Sequence, residues 1–167
     1  MIVSNETIVK EWFHVKRSAG FDLETFLPYR LSVTTNRVSR AFAAQYEQEF
    51  GISIPEWRAI AVLGAFAPLS SNEICEHTAM DKAKVSRAVA SLLKRGLIAR
   101  EAHDTDQRLI QLTLSKTGRK IYEAIIPRAR AIEAEVTEGL SRADVAALHR
   151  ILDRIATQLD KIEDIPS

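Results

Sequence analysis

Apolar residues recur at helical spacing along most of the chain, and short polar stretches separate the runs. Between residues 22 and 50 they lie near helical spacing, which predicts one long helix that ends at Gly51 and has Pro28 in its first turn. The apolar face of this helix comprises Leu27, Leu31, Val38, Phe42 and Tyr46. A second helix is predicted to begin at the S-x-x-E capping box of Ser53 and Glu56.

Residues 70–96 predict two helices joined by a tight turn. Ser70 and Glu73 have capping-box spacing, so a short helix is expected from there to about residue 78, followed by a turn at Ala79 and Met80. Asp81 is placed to cap the next helix, and Gly96 to stop it. The apolar face of that helix consists of Val85, Val89, Leu92 and Leu93.

The opposite face of this second helix combines cations with small residues. At about 100° per residue, Arg87, Ala90, Ser91 and Lys94 point away from the apolar face, and Lys84 and Ser86 lie on its flanks. Such a face can enter a DNA major groove about 12 Å wide. The pattern therefore predicts the recognition helix of a helix-turn-helix.

Two strand-like segments follow, at residues 97–102 and 109–114, joined by a polar turn at residues 103–108. The residues predicted to face inward are Ile98, Ile110, Leu112 and Leu114. This hairpin is interpreted as a wing, and Arg108 near its tip could reach phosphates or a narrow minor groove.

Together these segments resemble the MarR family of winged helix-turn-helix regulators. The matching residues are the run DKAKVSRAVASLLKRGLIAR, the D-x-D-x-R of Asp104, Asp106 and Arg108, and LTLSKTG at residues 112–118. The resemblance covers roughly residues 28–155. It departs at Gln107, where relatives often carry an arginine and where one backbone contact of the wing is expected to be weaker, and at Ser115.

The C-terminal part of the chain predicts two more helices, one over residues 116–139 and one opened by Ser141 and Asp144. Apolar residues of the last helix repeat at intervals of three and four, at Val145, Leu148, Leu152, Ile155, Leu159 and Ile162. Such a seam needs a partner surface, either within the chain or on a second copy. The resemblance implies a homodimer in which the terminal helices interlock, with recognition helices about 34 Å apart on a pseudo-palindromic site in double-stranded DNA.

The expected fold is mainly α with a small β-hairpin wing (α+β). An arm at residues 1–20 precedes a single domain at residues 21–167. Within that domain, residues 22–50 and 116–163 form the dimerisation helices, and residues 53–115 form the DNA-binding lobe.

Charge is segregated along the chain although the whole carries only +1. Residues 81–120 hold ten basic and four acidic side chains, a net charge of +6, whereas the segments before and after are acidic. Local positive charge is what phosphate contacts require. Neither a membrane span nor a signal peptide is indicated, and a cytoplasmic protein is expected.

Enzyme motifs are absent, so no catalytic residue, cofactor or metal is predicted. Glu73 and His77 share a helix face, but Cys75 lies about 200° away from both. His103, Asp104 and Asp106 of the wing are interpreted as a solvated turn rather than a cation site. Cys75 is interpreted as core packing rather than as a redox sensor.

The predicted site residues form two sets. The DNA contacts are Lys82, Lys84, Ser86 and Arg87 on the recognition helix, Arg95 and Arg100 near the DNA backbone, and Arg108 on the wing. The resemblance also implies a small-molecule effector, and the residues that suit a planar carboxylate or an acyl thioester are Phe26, Tyr29, Arg30, Arg37, Trp57 and Arg58.

The segments FLPYRLSVTTNRVSR and IPEWRAI look like the MarR branch that controls degradation of hydroxycinnamates and related aromatic acids. In the alternative, Phe26 and Trp57 are core residues and the arginines pair with nearby glutamates. The predicted function is a ligand-responsive repressor. The alternatives are a winged-helix module that binds proteins and a DNA binder without an effector.

Overall fold

A computed structural model describes residues 21–102 and 110–163 of the chain. The described chain divides into two compact units between residues 39 and 40. The predicted arm at residues 1–20 and the wing tip at residues 103–109 lie outside the described residues. The elements are α1 (Leu27–Ala43), α2 (Glu47–Phe50), α3 (Ile54–Phe66), α4 (Ser71–Thr78), α5 (Lys82–Lys94), β1 (Ile98–Ala102), β2 (Ile110–Leu114), α6 (Lys116–Val136) and α7 (Arg142–Glu163). The predicted fold class, mainly helical with one hairpin, is confirmed.

In the first unit, α1 begins at Leu27 and not at Asp22, so this predicted boundary is wrong. The Asp22 carboxylate accepts hydrogen bonds from the Glu24 backbone N–H and the Thr25 hydroxyl, both at 3.1 Å. These local bonds stabilise a turn instead of a helix. Pro28 lies in the first turn of α1, as predicted.

The predicted helix over residues 22–50 is also interrupted near its other end. Within the second unit, Gln45 and Tyr46 donate backbone hydrogen bonds to carbonyls three residues earlier, which forms a turn, and α2 starts at Glu47. The turn places Tyr46 in the core, where only 1% of its surface is exposed. Burial of this ring therefore outweighs the continuous helical periodicity of the sequence.

The core of the second unit lies between α3, α4, α5, α6 and the hairpin. Its most deeply buried side chains come from all of these elements, and include Ile60, Leu63, Ile74, Val85, Leu92, Leu112 and Ile125. Both predicted capping boxes are formed. Ser53 donates its backbone N–H to the Glu56 carboxylate at 2.8 Å, and Ser70 donates to Glu73 at 2.7 Å.

The hairpin pairs β1 with β2 in antiparallel register, with Ile98 opposite Leu114 and Arg100 opposite Leu112. Leu69 exchanges two backbone hydrogen bonds with Leu112, a third strand-like contact that the sequence did not indicate. Ile98 and Leu112 are buried as predicted, but Ile110 is 53% exposed, so its predicted inward position is wrong. Ile110 pairs with Ala102 at the far end of the ladder, next to the segment that joins the two strands.

Helices α6 and α7 complete the described chain. Gly118 in the first turn of α6 lies against the backbone of Leu97, so closely that an added Cβ would be 1.9 Å from the Leu97 carbonyl oxygen. Ser141 and Asp144 form the predicted cap of α7. Large apolar side chains of α7 remain 43–56% exposed. Among the residues that the structure describes, none of the helices combines the length and hydrophobicity that a bilayer span requires.

Candidate nucleic-acid interface

Two helices and a three-residue connection form the predicted helix-turn-helix. Helix α4 ends at Thr78, and Ala79 adopts a left-handed conformation with φ = 51°. Met80 then turns into the core, with 8% of its surface exposed. Asp81 caps α5 by accepting the Lys84 backbone N–H at 2.7 Å, which confirms the predicted start of the helix.

One face of α5 fixes the helix to the rest of the unit. Val85, Ala88, Val89 and Leu92 are buried, and Leu93 packs partly against the same core. Burial of large aliphatic side chains contributes about 1.5–3 kcal/mol each. The helix is thereby held in a single rotation about its axis, which decides the side chains that face solvent.

The outward face of α5 carries positive charge and several small side chains. Lys82, Lys84, Ser86 and Arg87 are exposed, together with the small residues Ala83 and Ala90. Lys84 Nζ lies 2.9 Å from the Asp81 carboxylate in an exposed ion pair. Hydrogen bonds from the side chain and backbone of Lys84 lower the pKa of Asp81.

Two residues near the end of α5 have hydrogen-bond partners within the fold that the sequence did not indicate. Ser91 is half-buried and donates its hydroxyl to Glu56 Oε1 at 2.6 Å, so its predicted outward position is wrong. Arg95 donates to the carbonyl oxygens of Phe50 at 2.7 Å and Gly51 at 2.9 Å. Its long side chain reaches these acceptors although they are distant in sequence, and its predicted contact with the DNA backbone stays a prediction.

The wing contributes one described cation to this surface. Arg100 is exposed on β1, and the neighbouring Glu101 accepts a hydrogen bond from the Thr113 hydroxyl at 2.8 Å. Arg108, Asp104, Asp106 and Gln107 lie outside the described residues, so their predicted roles stay predictions.

The six predicted effector residues are divided between the two units. Phe26, Tyr29, Arg30 and Arg37 are exposed on or just before α1. Trp57 and Arg58 are half-buried on α3 in the second unit. Their joint role as a binding set stays a prediction.

Trp57 belongs to a cluster of aromatic rings with Phe42, Tyr46 and Tyr122. Its ring centroid lies 5.5 Å from that of Phe42, 5.7 Å from Tyr46 and 6.2 Å from Tyr122. Burial raises the pKa of Tyr46 to about 12, and the nearby charge of Glu47 acts in the same direction. These contacts agree with the alternative interpretation of the sequence, in which Trp57 packs against the core.

The sequence did not indicate two residues at this aromatic cluster, Tyr122 and Arg119. Tyr122 stacks on Trp57, and Arg119 lies over the Tyr122 ring with its guanidinium carbon 5.5 Å from the ring centroid. Arg119 also donates to the Gly64 carbonyl at 3.2 Å. The available signal was the spacing of one helical turn between Gly118 and Tyr122, which puts the tyrosine on the buried side of α6.

The described residues contain no cluster of three side chains able to hold a metal ion. Cys75 is half-buried and packs against the core, in agreement with its predicted structural role. His77 stacks on the exposed ring of Phe66, with centroids 4.6 Å apart.

Comparison with known proteins identifies this architecture. The family model described as "MarR family" matches residues 50–109, which include α3, α4, α5 and β1. A solved structure of a MarR/EmrR family transcriptional regulator from Acinetobacter sp. ADP1 superposes with a TM-score of 0.78 at 26% identity, covering 84% of this chain and 99% of that one. The chain belongs to the MarR family of transcriptional regulators.

Other relatives extend the similarity beyond the matched segment. A solved structure from Pseudomonas aeruginosa, described as a "probable transcriptional regulator", is 30% identical, with a TM-score of 0.68, over 80% of this chain and 99% of that one. The transcriptional repressor IacR of Pseudomonas putida is 22% identical over 149 residues, 89% of each chain. This MarR protein is accordingly similar to relatives along most of its length.

Two solved structures of lower sequence identity share the fold. One was solved with DNA, and the description of the other names a small aromatic acid. A MarR family regulator from Listeria monocytogenes, solved with a 26-mer DNA, has a TM-score of 0.74 at 16% identity and covers 80% of this chain and 88% of that one. BpsR from Bordetella bronchiseptica, whose DNA binding is regulated by 6-hydroxynicotinic acid, has a TM-score of 0.69 at 22% identity and covers 89% of this chain and 100% of that one.

Proposed function

We propose that this MarR protein is a ligand-responsive repressor that binds a pseudo-palindromic operator as a homodimer. The observation that carries the proposal is the two-sided character of α5. Its inner face is buried, and its exposed face presents Lys82, Lys84, Ser86 and Arg87. This helix contacts base edges in the major groove, and Arg100 and Arg108 of the wing contact the DNA backbone.

The shape of the α5 surface supports a groove-binding role. Ala83, Ser86 and Ala90 are small, so the helix backbone can approach the base pairs closely between the flanking cations. Arginine recognises guanine through two parallel hydrogen bonds, and lysine contacts phosphate as a point charge. Arg87 is therefore proposed as the principal base contact, and Lys82 and Lys84 as backbone contacts.

The apolar seam of α7 supports the homodimer. Leu148, Leu152 and Leu159 are 43–50% exposed in the single chain, and burying them against a second copy removes apolar surface from water. A dimer related by a two-fold axis carries two recognition helices, whose expected separation is about 34 Å, one turn of DNA.

A test of the DNA contact uses operator sequences enriched from a random duplex pool by the purified protein. Replacing Arg87 with alanine is expected to weaken binding to the enriched duplex by about 1–3 kcal/mol because a bidentate base contact is lost. Arg130, exposed on α6, provides the control variant Arg130→Ala, which should bind as the wild type does. An equal loss on enriched and random DNA would show that Arg87 is a phosphate contact, and failure to enrich any sequence would contradict the operator proposal.

The proposed effector is a small aromatic or anionic compound of the hydroxycinnamate type. Its candidate contacts are Phe26, Tyr29, Arg30, Arg37, Trp57 and Arg58, in which aromatic surface is combined with guanidinium groups that bind carboxylates. Regulation of BpsR by an aromatic acid supports this class. The effector releases DNA only if it binds the DNA-free spacing of the recognition helices better than the DNA-bound spacing.

The effector proposal is tested by thermal shift with hydroxycinnamic acids, other aromatic acids and their thioesters. A ligand at 100 times its Kd stabilises the folded protein by about 2.7 kcal/mol, which raises the melting temperature measurably. The same ligand should weaken binding to the enriched duplex. Unchanged operator affinity across the whole panel would favour a regulator without an effector of this class.

A further inference from the structure

Arg95 joins the end of the recognition helix to a segment more than forty residues away. It directly follows α5, and its two terminal nitrogens donate to the Phe50 and Gly51 carbonyl oxygens at 2.7 and 2.9 Å. These carbonyls belong to the end of α2, where the chain turns through Gly51 with φ = 60°. Carbonyls at a helix end have no partner within the helix, so a guanidinium fork satisfies two acceptors at once.

Glu56 holds the same end of α5 from a second direction. Its side chain is 9% exposed, and Oε1 accepts the Ser91 hydroxyl at 2.6 Å and lies 3.6 Å from Arg95 Nη1. Its other oxygen accepts the backbone N–H and the hydroxyl of Ser53 at the start of α3. Burial raises the pKa of Glu56, but the hydrogen bonds from Ser91 and Ser53 and the charge of Arg95 outweigh it and leave the pKa lowered.

A second arginine, Arg128 on α6, contacts the α2 segment through side chains rather than through backbone carbonyls. It donates to the Glu49 carboxylate, and its guanidinium carbon lies 5.3 Å from the centroid of the Phe50 ring. Phe50 thus contacts Arg95 through its carbonyl oxygen and Arg128 through its ring. We name Glu49, Phe50, Gly51, Arg95 and Arg128 the arginine clasp.

We propose that the arginine clasp, with Glu56 and Ser91, is a positioning device that couples α6 to the recognition helix and sets sequence-specific DNA binding without touching DNA. The inference rests on the proposed function of α5. Bidentate hydrogen bonds from a guanidinium fix direction as well as distance. A lysine at position 95 keeps the charge but loses the fork, so specific binding requires arginine there.

The test compares two arginines that the sequence placed near the DNA backbone. Binding of Arg95→Ala, Arg95→Lys and Arg100→Ala is measured on the enriched operator and on random duplex across a salt series. Hydrogen bonds that involve a charged group are stronger than neutral ones. Losing those of the Arg95 guanidinium is therefore expected to lower operator affinity about 10- to 100-fold in both Arg95 variants. Their affinity for random DNA and their salt slope are expected to match the wild type.

Arg100→Ala provides the matched comparison, because loss of a phosphate contact acts on every sequence. It is expected to weaken both duplexes equally and to lower the salt slope by about 0.9. The same pattern in Arg95→Ala, or an unchanged operator affinity, would overturn the clasp. A wild-type protein with no preference for any duplex would instead overturn the proposed function.

A double variant tests the coupling through the α2 turn. Arg128→Ala, on α6, is expected to lower operator affinity. The double variant Arg95→Ala/Arg128→Ala is expected to lose little more affinity than the larger single loss, because both side chains act through the α2 turn. Strictly additive losses would contradict coupling. Equilibrium unfolding at the assay temperature identifies variants that fail to fold, in which case Arg95→Lys and Arg128→Ala singly decide the result.

Discussion

At the scale of single residues, contacts between side chains distant in sequence decide which hydrogen bonds a charged group makes, because local sequence patterns do not. Glu56 fits a capping box, and in the structure it also accepts a hydrogen bond from Ser91. Arg95 is an exposed cation, and its guanidinium also binds two backbone carbonyl oxygens. In both residues one charged group satisfies several partners, and for the buried Glu56 these hydrogen bonds compensate for its removal from water.

The lowered pKa of Glu56 gives stability a defined pH dependence. Because the folded-state pKa lies below the ordinary value of 4.5, the carboxylate stabilises the fold above that pH and this contribution is lost as the pH falls through the folded-state pKa. Glu56→Gln is expected to lower the free energy of unfolding by about 1–3 kcal/mol at pH 7 and to flatten its decline under acid. Urea unfolding measured from pH 7 to about pH 3 checks both effects.

Asp144→Asn is the comparison for this prediction. Hydrogen bonds from the Ser141 side chain and backbone lower the pKa of Asp144, but its carboxylate is exposed and solvent screens it. Its effect on the acid limb should therefore be smaller. An acid limb that is identical in the wild type and in Glu56→Gln would contradict the assigned role of Glu56.

Gly118 is required by the close approach of α6 to Leu97. An alanine Cβ would lie 1.9 Å from the Leu97 carbonyl oxygen, so the backbone has to move. Gly118→Ala is expected to destabilise the fold by roughly 3 kcal/mol, at the upper end of overpacking effects. Thr117→Ala, one position earlier and exposed, should stay within about 0.5 kcal/mol of the wild type in chemical denaturation.

At the scale of elements, caps and the αL residue at position 79 define the helix-turn-helix. Helix α4 has eight residues, which is too short to be stable in isolation, so its ends depend on specific hydrogen bonds. Asp81 and Ser70 supply those at the starts of α5 and α4. The cap residues were predicted from spacing, because capping is a local interaction.

Ser70→Ala removes the hydroxyl that accepts the Glu73 backbone N–H at 3.2 Å. The expected loss is about 1 kcal/mol in the free energy of unfolding, as for other N-caps. Ser71→Ala, at the next and exposed position, serves as the control in the same thermal or urea unfolding series. Equal stability of the two variants would show that this cap does not support α4.

At the scale of the whole molecule, the exposed seam of α7 is the feature that a single chain leaves unexplained. Leu152 and Leu159, on this seam, are 43% and 50% exposed. In the proposed homodimer these residues lie at the contact between copies.

Leu152→Asp is expected to shift the protein from dimer to monomer at micromolar concentration, because a buried unpaired carboxylate opposes association. Sedimentation velocity measures the change. Arg150→Glu, on the opposite side of α7 by helical geometry, is the charge-changing control and should leave the dimer intact. A wild-type monomer, or a dimer that persists in Leu152→Asp, would contradict the proposed interface.

The sequence by itself determined the helix-turn-helix, its caps, the buried face of α5 and the hairpin, since periodicity and capping depend on residues a few positions apart. Only the tertiary structure decided the interruption of the first predicted helix, the exposure of Ile110, and the hydrogen-bond partners of Ser91 and Arg95. The helix interruption and these hydrogen bonds depend on partners far along the chain, such as the core around Tyr46 or the carbonyls of Phe50 and Gly51. Local sequence fixes which groups are available, and packing fixes which of them meet.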